Sequence, residues 1–445
     1  MKRIRTGSFT SLLRMLGERQ VGIYLHNQLR KRGITRSTAS SLAYASGYES
    51  AQHRSSLVKL VNSHLPIALL LAMAVVKIST GFVQAQEPSA DVLAPAEWKR
   101  VDDSVERALQ WLASTQQRNG SFPTRQQGQP GVTSFCVMAF VSQGHVPGEG
   151  PYGAQLLKAV KYIASCQKQN GLISAVAPWG ATISRNVSKE ISNTAPYNHG
   201  ISGLLLSEVF SMGQVNQIKG LDAKIEKALE ATLVMQRWPK RYPLDKGEWR
   251  YLNQQAEYNS DLSVSGWQLM FLRSAKNAGF EVPQAPIDEA VSFVRNCYRE
   301  KFGTFLLHAT DKDFRSRGMA GAGILALAHA GFHDAPEALQ AGDWILKNDF
   351  RRYNVVKPFG QPEWPDDRYH YSAFNCAQAM YQLGGKYWQQ FFPPLVKVLL
   401  ENQQADGSWP AESHFFDGKF GRAYTTSLVV MTLGAPNQLL PIFQR

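Results

Sequence analysis

The chain has 445 residues, 44% of them hydrophobic, with four cysteines and 48 Lys+Arg against 35 Asp+Glu, a formal charge of +13. A hydrophobic fraction near the globular average excludes a disordered or collagen-like chain, and four cysteines over this length exclude a dense disulfide framework. The charge alone points to nucleic acid or an anionic surface, but it is unevenly placed.

Residues 1–64 hold eleven Lys or Arg and two acids and read as a basic leader. From Leu65 to Val76 the chain is apolar, too short for a bilayer-spanning helix of roughly 20 residues. Val83 and Ala85 then stand at the −3 and −1 positions of a signal-peptidase site. Residues 65–85 therefore read as a signal-peptide core and cleavage site, and 86–100 as a linker. Export is expected, with membrane association through this N-terminal segment. The leader is far longer than an ordinary n-region, so either translation starts near Leu57 or Val58, or the leader is genuine and its anchor uncleaved. Without residues 1–85, 36 basic and 33 acidic residues remain, which gives no reason to expect nucleic acid.

From about residue 101 the sequence is a series of paired helical stretches. The first of each pair carries one apolar stripe, as in Ala108, Trp111 and Leu112 with Glu106, Arg107 and Gln110 opposite. The second is apolar nearly all round and rich in small residues: Val132–Phe140, His199–Phe210, Leu262–Leu272, Met319–Ala328, Ser372–Tyr381 and Tyr424–Leu433. A helix apolar on every face is buried, and one with a stripe is half-exposed. Each second stretch runs into a glycine, at Gly144, Gly213, Gly279, Gly331, Gly384 and Gly434, where a left-handed residue can end a helix. Six such hairpins predict an all-α, (α/α)6 toroid, an inner barrel wrapped by an outer ring, over residues 101–445.

The turns between paired helices carry a repeated pattern. Arg107-Ala108, Trp111-Leu112, Gln116, Gly120 and Phe122 follow it, as do Lys158-Ala159, Tyr162-Ile163, Gln167, Gly171 and Ile173. Val398-Leu399, Gln403, Gly407 and Trp409 give its clearest turn, and weaker copies begin at Lys227-Ala228 with Gln236, at Ala290, and at Ala341. This is the QW-repeat spacing, and the chain resembles the squalene/terpene-cyclase and protein-prenyltransferase superfamily, in particular a bacterial, planctomycete-type branch. The resemblance implies an α/α toroid in which Gln116, Gln167, Gln403 and Trp409 stabilise turns.

It also implies chemistry to be tested residue by residue. Terpene cyclases of this kind protonate an alkene or epoxide with the middle Asp of a DxDD motif, and a neutral carboxyl in a desolvated pocket is the available acid. No DxDD occurs. Asp261, before the third inner helix, keeps the acid's position without flanking carboxylates; Asp366 and Asp367, before the fifth, keep the last two positions. The favoured reading of Asp261 is a helix N-cap, with an acid or ligand-contact role as the alternative. The prenyltransferase zinc set is also missing, because Phe374 stands two residues before Cys376; no metal and no cofactor is expected.

The residues at the starts of the inner stretches form the site expectation. Asp261, Asp366, Asp367 and His370 are the catalytic candidates. Tyr197, His199, Glu257, Tyr258, Trp364, Arg368, Tyr371, Arg422 and Tyr424 are the ligand-binding candidates, all converging on one barrel mouth in a closed ring. Gly200, Gly203, Gly321, Gly323 and Ala373 are expected to leave lumen volume. The resemblance implies an isoprenoid or other apolar ligand, either bound only or bound and modified. The alternatives are a glycan-active toroid with paired carboxylates and a non-catalytic interaction scaffold.

Overall fold

The computed structural model describes residues 92–213, 218–253, 260–310, 313, 315–355 and 367–444. The leader, the signal segment, and the site candidates Glu257, Tyr258, Trp364 and Asp366 lie outside them. Among the described residues there are twelve α-helices and one two-stranded hairpin.

The outer helices are α1 (Pro95–Thr115), α3 (Gly153–Ser165), α5 (Leu221–Gln236), α7 (Gln284–Asn296), α9 (Pro336–Lys347) and α11 (Gly385–Glu401). The inner helices are α2 (Gly131–Val141), α4 (Lys189–Ser211), α6 (Leu262–Asn277), α8 (Arg317–His329), α10 (Tyr369–Leu383) and α12 (Gly421–Leu433). Each inner helix packs on the next, and α12 returns to α2, so the barrel closes; α11 and α12 also pack on α1, which closes the outer ring. The strands β1 (Tyr298–Arg299) and β2 (Thr304–Phe305) pair antiparallel in the turn after α7. The sequence pattern explains the layering: every residue of α2 is buried, whereas α1 buries the stripe Val101, Val105, Ala108, Leu109 and Leu112. No helix among the described residues is long and apolar enough to cross a membrane.

Two boundaries differ from expectation. The linker ends earlier, because α1 starts at Pro95, a favoured first helical residue, and Glu97 reaches back to the Ala94 amide at 3.0 Å. Helix α4 begins ten residues before His199 and runs through Pro196, its polar start capped by Ser188. The glycines also divide. Gly144, Gly213, Gly279, Gly331 and Gly384 have positive φ, but Gly434 has φ −85°, so handedness does not call for glycine there. The expectation that small inner-helix residues leave lumen volume is overturned. A Cβ on Gly203 would meet the Phe271 ring at 2.6 Å, and one on Gly323 the Phe305 ring at 2.3 Å. At Gly200, Gly203, Gly321 and Gly323 the missing side chain lets neighbours approach and leaves no space. All four cysteines are buried and free of disulfides.

The outer ring is stapled by one repeated bond. Gln116, Gln167, Gln236 and Gln403 each donate Nε2 to the glycine carbonyl of their own turn and to a backbone carbonyl of the next outer helix, at Gln155, Lys224, Pro286 and Ser104 respectively. In the third turn the motif is spread by an insertion, so that Gly247 and Trp249 lie eleven and thirteen residues after Gln236 and escape the sequence spacing. Gly247 has φ +89°, and its Cβ would be 2.2 Å from the Glu289 carbonyl oxygen. Gly247→Ala is therefore expected to cost about 2 kcal/mol in denaturant unfolding, from the left-handed backbone and the clash together; an unchanged midpoint would refute this packing.

Candidate functional site

The N-terminal parts of five inner helices, α2, α4, α6, α10 and α12, surround a cavity of about 460 Å³. Its floor is aromatic and comes from four helices: Phe135 of α2, Trp267 of α6, Tyr371 of α10 and Tyr424 of α12. Phe135 meets Trp267 edge-on at 5.3 Å, and Trp267 stacks on Phe374 beneath it at 6.0 Å. One wall is the polar start of α4, including Asn193, Thr194 and Tyr197, and the rim carries the exposed cations Arg125, Lys189 and Lys419 with Glu190 among them. A cavity of this size and apolar character is typical of small-molecule sites.

Inside the wall lies an ion pair. Arg368 Nε stands 3.1 Å from Asp417 Oδ1, and Tyr424 donates its hydroxyl to Asp417 Oδ2 at 3.1 Å. Burial raises the Asp417 carboxyl above its ordinary range, against the opposing pull of Arg368. Burial, with Asp261 adding its field, raises the phenol of Tyr371 far above its ordinary value and that of Tyr197 likewise.

Asp261 sits behind the wall, 1% exposed, as the N-cap of α6. Its Oδ1 accepts from the amides of Ser263 (2.9 Å) and Val264 (3.2 Å) and from the Ser263 hydroxyl, and its Oδ2 is 3.8 Å from Arg250. Because Ser263 gives its proton to the carboxylate, Tyr197, 2.6 Å away, must donate to Ser263. Asp261 thus reaches the cavity through two hydroxyls, with its Oδ1 occupied by capping and its Oδ2 turned toward Arg250. Of the two readings open in the sequence, the cap accounts for the geometry.

The other candidates divide sharply. Tyr197, Arg368, Tyr371 and Tyr424 line the cavity. Asp367, His370, His199 and Arg422 do not. Asp367, 7% exposed, forms a double contact with Arg317: Oδ2 accepts from Nε at 2.9 Å and from Nη2 at 2.6 Å, while Oδ1 accepts the Arg317 amide and the Ser372 hydroxyl. It ties the starts of α8 and α10 together. His370 is fully buried, with Nδ1 2.8 Å from Glu412 Oε2 and Nε2 2.9 Å from the Tyr353 hydroxyl. Arg422 extends over the Trp111 ring and bonds Gln404 and Asp406 in the last turn.

His199 has a structural counterpart in other units. The amides of Phe122, Trp249 and Trp409, each two residues past a turn glycine, are accepted by Thr133, Ser265 and Thr426 of the neighbouring inner helix. At Ile173 the acceptor is His199 Nδ1, at 3.1 Å. That bond leaves the proton on Nε2, which faces Thr232 Oγ1 at 2.9 Å, and burial lowers the imidazole pKa to about 3, so it stays neutral.

Phe135, Trp267, Tyr251, the loop Phe416–Phe420 and Asp417 were not singled out by sequence reasoning. Trp267 and Phe135 lie one turn inside apolar helices, where the sequence reads them as core. No group of three or more metal-ligating side chains occurs among the described residues.

No protein-family model and no curated protein matches the chain. Solved structures do. A variant of the type II terpene cyclase MstE from Scytonema, in complex with merosterolic acid A as product, aligns with TM-score 0.50 and 15% identity over 78% of this chain and 100% of that one. A wild-type glycosidase aligns with TM-score 0.50 and 11% identity over 78% of this chain and 100% of that one. At these identities the likeness establishes the α/α toroid fold, which carries both kinds of chemistry.

Proposed function

We propose that this protein binds an elongated apolar ligand of isoprenoid type, with a polar or anionic end, in the mouth of its barrel. The observation that carries this reading is the floor of four aromatic side chains contributed by four inner helices, beneath a rim with three exposed cations. Aromatic faces and aliphatic walls suit an apolar body, and Arg125, Lys189 and Lys419 suit a carboxylate or phosphate head in water. The MstE variant with the same fold is described with a terpenoid product bound, which agrees with such a ligand. Action outside the cytoplasm belongs to the same proposal and rests on the leader alone.

Cleavage of a glycan would need two carboxyl groups facing across the site at a set separation. Among the described residues, the carboxylates in this wall are Glu190, which accepts from Gln127 Nε2 at 3.2 Å, and Asp417, held by Arg368 and Tyr424. Binding, with Asp261 as a cap, is the reading the geometry supports.

Calorimetric titration with farnesol, farnesyl phosphate and a malto-oligosaccharide tests it. The prenyl probes are expected to bind at micromolar Kd, the phosphate more tightly. Ile201→Trp, which fills the cavity from its wall, is expected to weaken both at least about tenfold. Binding of the sugar alone would replace this reading with the glycan one. Heat from none of the three would leave a scaffold.

A further inference from the structure

Below the cavity floor the lumen does not end. A second void of about 10 Å³, room for a single water at most, lies between Gly266 and Met270 of α6 and Ala322, Leu325 and Ala326 of α8. Trp267 and Tyr371 border both spaces, so they form the partition between them. What holds the partition in place comes from the opposite end of the barrel.

After α12 the chain turns back across the C-terminal ends of the inner helices. Asn437 bonds the Ser142 carbonyl beyond α2 at 3.3 Å. The Ile442 amide donates to Glu208 Oε2 of α4 at 3.1 Å, and Glu208 Oε1 accepts from Ser274 of α6. Gln382 of α10 donates to the Phe443 carbonyl, and the Phe443 ring lies 6.0 Å from His329 at the end of α8. Leu440, Ile442 and Phe443 are 3%, 4% and 2% exposed. The segment is a stopper in the far end of the barrel. Its Phe443 ring meets Phe374 edge-on at 5.9 Å, and Phe374 is the ring on which Trp267 stacks.

We infer that Phe443, acting through Phe374, sets the depth of the ligand cavity and hence the length of apolar chain it accepts. This deepens the ligand-binding reading and rests on it. The ladder Phe443–Phe374–Trp267 props the partition from below. A close-packed interior passes a lost contact to its neighbours, so removal of the Phe443 ring lets Phe374 settle, Trp267 follow, and the two spaces join. Phe443 is a positioning residue that touches no ligand.

The test compares farnesol with geranylgeraniol, one isoprene unit longer, by calorimetry on wild type, Phe443→Ala and the better-folding Phe443→Leu. The expected result is a shift in the ratio of the two Kd values toward the longer alcohol, by about tenfold for Ala and less for Leu, because each added methylene buried contributes to affinity. Gly266→Val in the Phe443→Ala background refills the lower void and returns the ratio to the wild-type value. A ratio unchanged in both Phe443 variants overturns the inference, as does an equal gain or loss for both alcohols. If wild type binds neither alcohol, the ligand reading fails, and the ladder is decided separately without ligand. Acrylamide quenching assigned to Trp267, by difference from Trp267→Phe, rises in Phe443→Leu if the ladder props the floor; unchanged quenching refutes it.

Discussion

Asp367→Asn is expected to lower unfolding stability by about 3–5 kcal/mol while leaving ligand affinity of the folded protein within about twofold. The asparagine oxygen still accepts from the Arg317 amide and the Ser372 hydroxyl at the Oδ1 position, so the substitution removes the charge that faces the guanidinium. Arg317 is left 5% exposed at its side chain, against the Phe350 ring at 3.7 Å and the Asp349 carbonyl, without the carboxylate that balances it. An uncompensated buried charge is among the few defects of this size. Replacing both partners, as Arg317→Met with Asp367→Leu, is expected to recover most of the loss, because the pair's attraction roughly offsets its desolvation. Urea midpoints with calorimetry on each variant decide the matter. Lost binding at unchanged stability would return Asp367 to the site.

The second large effect concerns pH. Glu208 and Glu248 are each buried, and burial raises both from the ordinary 4.5 to about 7. Between those values the native state holds protons that the unfolded state has released, so each carboxyl makes stability fall as pH rises through the window. His199 and His329 act oppositely. Burial lowers both from 6.5 to about 3, the native rings stay neutral while unfolded ones charge, and stability falls as pH drops through that window. Each group contributes a slope of about 1.4 kcal/mol per pH unit. From pH 4.5 to 6.5 the two carboxyls and two imidazoles nearly cancel, so these four groups give the wild type a flat profile there. Glu208→Gln keeps an acceptor for the Ile442 amide and removes the titration. It is expected to add about 3 kcal/mol of stability at pH 8, to add almost nothing at pH 4, and to tilt the flat region upward with pH. Urea denaturation at pH 4, 5.5 and 8 reads this, and a destabilised variant at pH 8 contradicts the burial argument.

Those carboxyls also show where sequence reasoning stops. The ring was legible because its signals are periodic and local: helices apolar on all faces alternate with striped ones, and the Gln–Gly–aromatic turn recurs at fixed spacing. Gly247 and Trp249 escaped because an insertion stretched that spacing, although the bonds they make are the same. The site was legible only in part. Arg368, Tyr371 and Tyr424 stand at helix starts, and Tyr197 stands just ahead of the apolar run of α4, where an aromatic or charged residue is conspicuous. Trp267 and Phe135 face a void one turn deeper, and nothing in a sequence separates an aromatic that lines a void from one that fills it. Asp367 and His370 stand away from the cavity, and the sequence hides this for the converse reason. A buried ion pair or hydrogen-bonded pair uses the residue types of an active site, and the partners that reveal these two, Arg317 and Glu412, lie 50 and 42 residues away.

The bond from Gln403 to the Ser104 carbonyl joins residues 299 positions apart. Loop-closure entropy grows only with the logarithm of length, so this junction is not much harder to hold than the others once made. Its effect is on timing. The first hairpin leaves the ribosome with one flank bare, and α11 and α12, which cover that flank, are synthesised after every other helix of the ring. Every intermediate length therefore exposes two raw ends of apolar helix, and the nascent chain has no protected stopping point before the final unit arrives. Such a chain passes through its most aggregation-prone state immediately before it becomes a ring without edges.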